Sequence, residues 1–388
     1  VTKKVVVAGA GIAGLSTALR LSGAGWQVLV VERAPARRSS GYMVNLLGHG
    51  YAAVERMGLL PVLTAKDLGL FSSILVRADG SEKFTVPAAL AEAAVGARAL
   101  TVFRGDLESV LYEAVCDRVE IRFSTTVVGV SQDPEGVDVA LSDGTAERAD
   151  LLVGADGLHS GVREIVFGPE ADFRVDMDHL VGAFPLSQLP REVPDSASAT
   201  FIGPRRTAAV VNLGPGRSSA FFAYHHADVA AELKRGAAKS LGEAFADLGG
   251  AFPDVLAQVS DAAYFDSVSQ IAMDSWSRGR VVLLGDAAWC VTLFAGYGAA
   301  LALTGADHLG LALAEDDLPT ALTRWEARLR PEVSKRQALA RKGISQFAPP
   351  TRAHVFARDL MIRAIQLPGL RGLIRRSVER ANQPKPLS

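Results

Sequence analysis

Two kinds of apolar pattern alternate from the first residues of the chain. Lys4 to Val7 form a β-branched run, Leu15, Ala18, Leu19 and Ser22 recur at helical spacing, and Val28 to Val31 form a second continuous run closed by Glu32. Short unbroken apolar runs predict strands buried on both faces and the three-four spacing predicts a helix, so the segment reads strand, turn, helix, strand. Two later runs close in a similar way. Leu151 to Val153 lead into Gly154, Ala155, Asp156 and Gly157, and Val281 to Leu284 lead into Gly285 and Asp286, ahead of a helix that opens with GYGAA. Between these runs, FSSILVRADGSEKF and the stretch from MDHLVGAFPLSQ to SSAFFAYHH alternate in short pieces separated by turn dipeptides, the pattern of antiparallel strands. NLGPGRSS sits between two such strands with no helix after it, so it predicts a hairpin and not a nucleotide turn. After Asp286 the pattern is helical, with an expected break near Pro331. The arginine-rich tail reads as a solvated face on a packing helix.

The first turn carries the most specific chemistry. GAGIAG places Gly9, Gly11 and Gly14 in G-x-G-x-x-G spacing, with Ile12 and Ala13 inside it. In a dinucleotide-binding unit the first glycine makes the tight turn, the second lets backbone approach a pyrophosphate, and the third lets helix and sheet pack closely. Glu32, followed by Arg33, closes the second strand where a carboxylate accepts bonds from both ribose hydroxyls and repels a 2′-phosphate. This unit alone fits FAD and NAD equally. Asp156 and Asp286 taken singly read as a turn and a cap. Three glycine-closed strand ends, two of them acidic, suggest one long ligand touched several times.

Composition narrows the classes. At 388 residues, 49% hydrophobic and 21% charged, the chain is long enough for two packed units. Lys and Arg total 41 against 42 Asp and Glu, a net charge of −1, which disfavours nucleic acid and acidic membranes as partners. Two cysteines, Cys116 and Cys290, make neither a disulfide framework nor a metal site, and both read as small core residues. A reducing, cytoplasmic setting is expected, with no leader pattern at the N-terminus and no apolar run that would span a membrane.

The set GAGIAG…VVER, FRGDLESVL, GADGLHSGVR and GDAAWCVTLFAGYG resembles the group A, single-component FAD-dependent aromatic hydroxylases. These include p-hydroxybenzoate hydroxylase and the tetracycline-inactivating monooxygenases. The resemblance implies an α/β Rossmann-like FAD-binding domain (residues 1–70, 101–175 and 271–345) with an inserted α+β substrate domain built on an antiparallel sheet (71–100 and 176–270). A C-terminal helical segment (346–388) follows, and the thioredoxin-like domain of larger members is not expected. It further implies that Glu32 holds the adenosine ribose, that Arg104 touches the middle of FAD, and that Asp156 and Gly157 serve both FAD and the nicotinamide donor. Asp286 would bind the ribityl chain, and the helix starting near Gly298, with Gly296 and Ala299 beside it, would direct its N-terminal dipole at the flavin's N1 and C2 edge. Arg33 and Val128 complete the expected cofactor set.

The implied activity is hydroxylation of an aromatic or polyketide-like molecule with O2 and NAD(P)H, through a flavin C4a-hydroperoxide, by a monomer or homodimer. NAD(P)H would dock transiently. No metal and no nucleophilic triad is required. The chain departs from the family pattern at Trp289 for His, Leu293 for Pro, Tyr297 for Gln and Ala300 for Asn, which puts the expected doubt beside the reacting edge of the flavin. His225, with its neighbour His226, and Tyr297 are the candidate catalytic side chains. Rival readings are epoxidation, Baeyer-Villiger insertion, oxidative decarboxylation, or a non-catalytic FAD-fold protein that shields a reactive intermediate. An NAD dehydrogenase leaves Asp156 and Asp286 unexplained, and the halogenase segment Trp-x-Trp-x-Ile-Pro is absent from the sequence.

Overall fold

The computed structural model describes residues 2–37, 42–69, 71–89, 98–260 and 263–366. Residues 90–97 and 367–388, which belong to the expected inserted domain and C-terminal segment, lie outside the described residues. The apolar runs of the first turn and the two later motifs become neighbours in a six-stranded sheet, ordered Ser277–Arg278, Val281–Leu283, Leu151–Gly154, Lys4–Ala8, Gln27–Val31, Glu120–Arg122. All pairs are parallel except the outermost Ser277–Arg278 pair. In register, Ala8 lies beside Gly154 and Gly154 beside Leu283, so the three glycine-closed ends meet at one carboxyl edge. Val5, Val6, Val7, Leu151, Leu152 and Val153 are wholly buried, as a sheet covered on both faces requires. The helix Ile12–Gly23 packs on this sheet, and the helix Gly298–Glu315 packs on that helix.

A seven-stranded sheet forms the second layer, ordered Tyr264–Ile271, Arg174–Pro185, Ser219–His225, Arg206–Asn212, Ala197–Gly203, Ser72–Val76, Glu82–Val86. It is antiparallel apart from one parallel pair, Ser72–Val76 with Ala197–Gly203. The strand Arg174–Pro185 begins two residues before the expected domain junction, so residue 176 lies inside a strand. One face packs a separate core in which Phe222 meets Phe245 and Phe252 at ring distances of 5.0 and 6.5 Å. The opposite face carries Val181, Ala223 and Val268 against Phe294, which belongs to the turn after Asp286. The Asn212 to Ser219 connection is a hairpin, with Gly214 and Gly216 at φ +92° and +71°.

Two local expectations are corrected. Leu318–Phe347 is one continuous 30-residue helix through Pro331. Proline removes one backbone donor there, yet buried Leu329 and Val333 anchor the helix on either side, and Arg330 donates to the carbonyls of Met273 and Asp274. Cys116 is the C-cap of the Arg104–Val115 helix and half-buried, because the apolar stripe ends at Val115.

Candidate active site

The three glycines of the first turn divide their work by geometry. A Cβ on Gly14 would lie 1.8 Å from the Gly9 carbonyl oxygen, and one on Gly9 would lie 2.4 Å from the Ala155 carbonyl oxygen, with Gly9 itself at φ +103°. Both close contacts are between backbones, so they weld helix to strand and turn to turn. Gly11 differs: a Cβ there would meet nothing nearer than 4.0 Å, and what it would face is Arg104 and Glu108. That open side leaves a cradle at the N-terminus of the Ile12–Gly23 helix with room for a ligand's phosphates. Glu32 accepts the Ala10 and Ala34 amides, each at 2.8 Å, which holds its carboxylate beside the turn. Arg33 is exposed next to it, and Val128 is 55% exposed on the three-stranded sheet.

The second motif is braced from within. Asp156 accepts the Ser160 hydroxyl at 2.5 Å and the Val162 amide at 3.1 Å, capping the Gly161–Val166 helix. Burial raises its carboxyl above the usual range while those hydrogen bonds oppose the rise. Gly157, at φ +84°, lines the cavity below. Arg163, the last residue of GADGLHSGVR, has a wholly buried side chain. Its guanidinium donates to the Leu158 carbonyl at 2.7 Å, the Ala287 carbonyl at 3.0 Å and Glu170 at 2.9 Å. It therefore ties the second motif to the third. The signal available in sequence was a lone cation inside an apolar helical turn.

A cavity of about 470 Å³ runs from Gly11, Ile12 and Ala13 to the face of the seven-stranded sheet. Among the described residues, Arg104 and Asp286 are its charged side chains. Arg104 donates to Glu108 at 2.9 Å and to the Tyr42 hydroxyl, and the Tyr42 ring stands 5.6 Å from that of Tyr264. Asp286 opens onto the cavity but deep within surrounding protein, so desolvation raises its pKa against the pull of Arg104. Desolvation likewise raises the phenols of Tyr42 and Tyr264 and the thiol of Cys290. Gly296, at φ +62°, Gly298 and Ala299 form the wall where the Gly298–Glu315 helix begins. Tyr42, Tyr264, Phe221 and Phe347 also line this wall, and none sits in a local motif that would mark it.

The departures from the family pattern point elsewhere. Trp289 is 2% exposed and packs against Trp276 at 4.5 Å and Trp325 at 5.7 Å, away from the cavity wall. Ala300 is buried where a Cβ on Gly50 would come within 2.4 Å of it. Tyr297 caps the Gly298–Glu315 helix with the Arg336 guanidinium 3.5 Å from its ring centre, and it is not part of the wall. Leu293 opens a short 3-10 turn. His225 and His226 line a separate cavity of about 310 Å³ with Arg206, Tyr224 and Glu232. The His225 ring is 5.2 Å from His179, which stands 6.2 Å from Phe294, so His225 is two rings removed from the main cavity.

The open cradle at Gly11, the carboxylate of Glu32, Asp286 in the cavity and the helix start at Gly298 suit a long dinucleotide whose ring end enters the cavity. The family model described as FAD binding domain matches residues 2–321. An uncharacterized protein of Mycobacterium tuberculosis H37Rv is 31% identical over 355 residues, spanning 89% of this chain and 95% of its own. The FAD-dependent monooxygenase asL4 of Sarocladium schorii is 28% identical over 398 residues, spanning 94% and 92%. The crystal structure of the tetracycline destructase Tet(51) superposes with a TM-score of 0.81 at 25% identity, over 99% of this chain and 100% of that one. No helix among the described residues is long and apolar enough to cross a membrane.

Proposed function

We propose, from the premise that this chain belongs to the FAD binding domain family and is an FAD-dependent monooxygenase, that it hydroxylates an aromatic or polyketide-like small molecule with NAD(P)H as reductant. The observation that carries this reading is a single cavity joining the cradle at Gly11 to the apolar face of the seven-stranded sheet. Gly11 would admit the pyrophosphate, Glu32 the adenosine ribose and Asp286 the ribityl chain, with the start of the Gly298–Glu315 helix at the flavin ring. Bound there, FAD supplies the redox chemistry that activates O2 and delivers one oxygen atom.

The chain's own residues supply enclosure and orientation. Phe221, Phe294 and Val268 present an apolar ceiling that excludes water from the reacting region. Tyr264 holds its hydroxyl proton, since burial and the nearby Asp266, Tyr42 and Asp286 all oppose ionisation, so it faces a ligand as a neutral donor. The two free thiols, Cys116 and Cys290, support a reducing, cytoplasmic setting. The test is rapid-mixing reduction of the yellow holoprotein by NAD(P)H with and without phenolic and polyketide compounds, followed by product analysis under labelled O2. Ligand-stimulated reduction and one labelled oxygen in the product are expected. A ligand that binds tightly yet never accelerates reduction would sink the hydroxylase reading in favour of a shielding role.

A further inference from the structure

The cavity wall has a charge distribution that separates its two ends. Its charged side chains among the described residues, Arg104 and Asp286, both stand at the cofactor end. The far end is built from Val181, Val211, Ala220, Phe221, Phe294 and Phe347. Two serines there are already committed. Ser267 accepts from Arg174 at 3.1 Å, Ser269 donates to Asp176 at 2.7 Å, and the two hydroxyls meet at 3.0 Å. Arg174, the nearest cation behind them, is held by Asp176 and Glu170 and is not part of the wall. Arg104 is likewise engaged, by Glu108 and Tyr42.

Resting on the function proposed above, we infer that the substrate is an uncharged ring compound with no carboxylate, phosphate or sulfonate. An anion entering the far end would lose its hydration and, among the described residues, find no cation there to replace it, the unpaired Thr292 hydroxyl being a neutral donor. The two stretches of backbone on this wall that favour negative charge, the starts of the Ile12–Gly23 and Gly298–Glu315 helices, are taken by the cofactor in that reading. Asp286 adds repulsion from the cofactor end. A neutral ring system, by contrast, gains from Phe221, Phe294 and Phe347 without meeting an unpaired charge. Its few polar atoms would be served by neutral donors such as Tyr264.

The experiment titrates the FAD-loaded protein at neutral pH with 2-naphthol and with 6-hydroxy-2-naphthoate, reading the flavin absorbance change. The two probes share ring and phenol and differ by one carboxylate. The expected result is affinity for 2-naphthol at least about tenfold higher. Phe347→Arg places a cation in the wall at a position 40% exposed, where the fold tolerates it. That variant is expected to shift the ratio toward the carboxylate by about tenfold. Equal or preferred binding of the carboxylate by the unaltered protein overturns the inference, as does failure of 2-naphthol to bind up to its solubility, or an unmoved ratio in Phe347→Arg. Failure of the hydroxylase reading shows separately: 2-naphthol is preferred, yet no compound stimulates reduction or takes up labelled oxygen.

Discussion

Gly14 rests directly on the Gly9 carbonyl, at a separation that leaves a methyl group only 1.8 Å from the oxygen, while Gly11, between them, faces open space to 4.0 Å. The two positions should therefore fail differently. Gly14→Ala must push helix from strand and is expected to cost about 1–3 kcal/mol or more of stability. Gly11→Ala should leave the stability of the apoprotein unchanged within about 0.5 kcal/mol and weaken FAD binding at least tenfold. Thermal melts of apoprotein with flavin fluorescence titration separate the two, and equal melting losses would refute the division of labour.

Trp289 stands where the family carries histidine, and its ring lies in a cluster with Trp276 and Trp325. Trp289→His should cost about 3 kcal/mol by opening that cluster. The rate of flavin reduction and the yield of product per NAD(P)H should hold below the melting range. A large loss of coupling in a still-folded variant would place Trp289 in the chemistry after all.

His159 sets one ring nitrogen 3.1 Å from Glu170 and the other 3.4 Å from Asp266, joining the second motif to the strand Tyr264–Ile271. Asp266, then Glu170, raise its pKa above the ordinary value of 6.5, against partial desolvation. Because the folded value exceeds the unfolded one, the contribution is complete below the unfolded pKa and disappears as pH rises through the folded pKa. The melting temperature of the native protein should thus fall relative to His159→Gln as pH climbs from about 6.5. Parallel pH profiles would remove the latch.

Arg163 donates to carbonyls of two motifs and to Glu170 from a fully buried position. Arg163→Ala leaves the two buried carbonyls without this donor and removes one of the cations on Glu170, which keeps Arg174, at an expected cost of about 3 kcal/mol. Calorimetry reads the stability. FAD affinity should fall as well in the reading proposed above, since Leu158 lines the cavity and Ala287 directly follows Asp286, which lines it too. Unchanged calorimetry would contradict the bracing role.

What the sequence made legible was local. Glycine spacing and unbroken apolar runs report on backbone, and the backbone prediction that three strand ends share an edge is met in the register Ala8, Gly154, Leu283. Side-chain direction in irregular turns has no period to read, so the motif alone suggests Trp289 and Tyr297 near the reacting edge although both face other helices. His225 illustrates a different limit. Ser219 to Phe221 of its strand line the cavity, but His225 is the strand's last residue, about 20 Å from its start. Tyr42, Tyr264 and Phe347 reach the wall only through tertiary packing, which no neighbouring residues announce.

The wall of the cavity includes Gly11 and Phe347, residues at nearly opposite ends of the described chain. A growing polypeptide can fold its first strand, turn and helix early on the ribosome, yet the chamber stays open until the long Leu318–Phe347 helix has emerged and docked. In the reading proposed above, cofactor capture would then be a late event in biogenesis. Chains interrupted before that helix would carry a formed phosphate cradle with no room enclosed beside it, and would be released colourless.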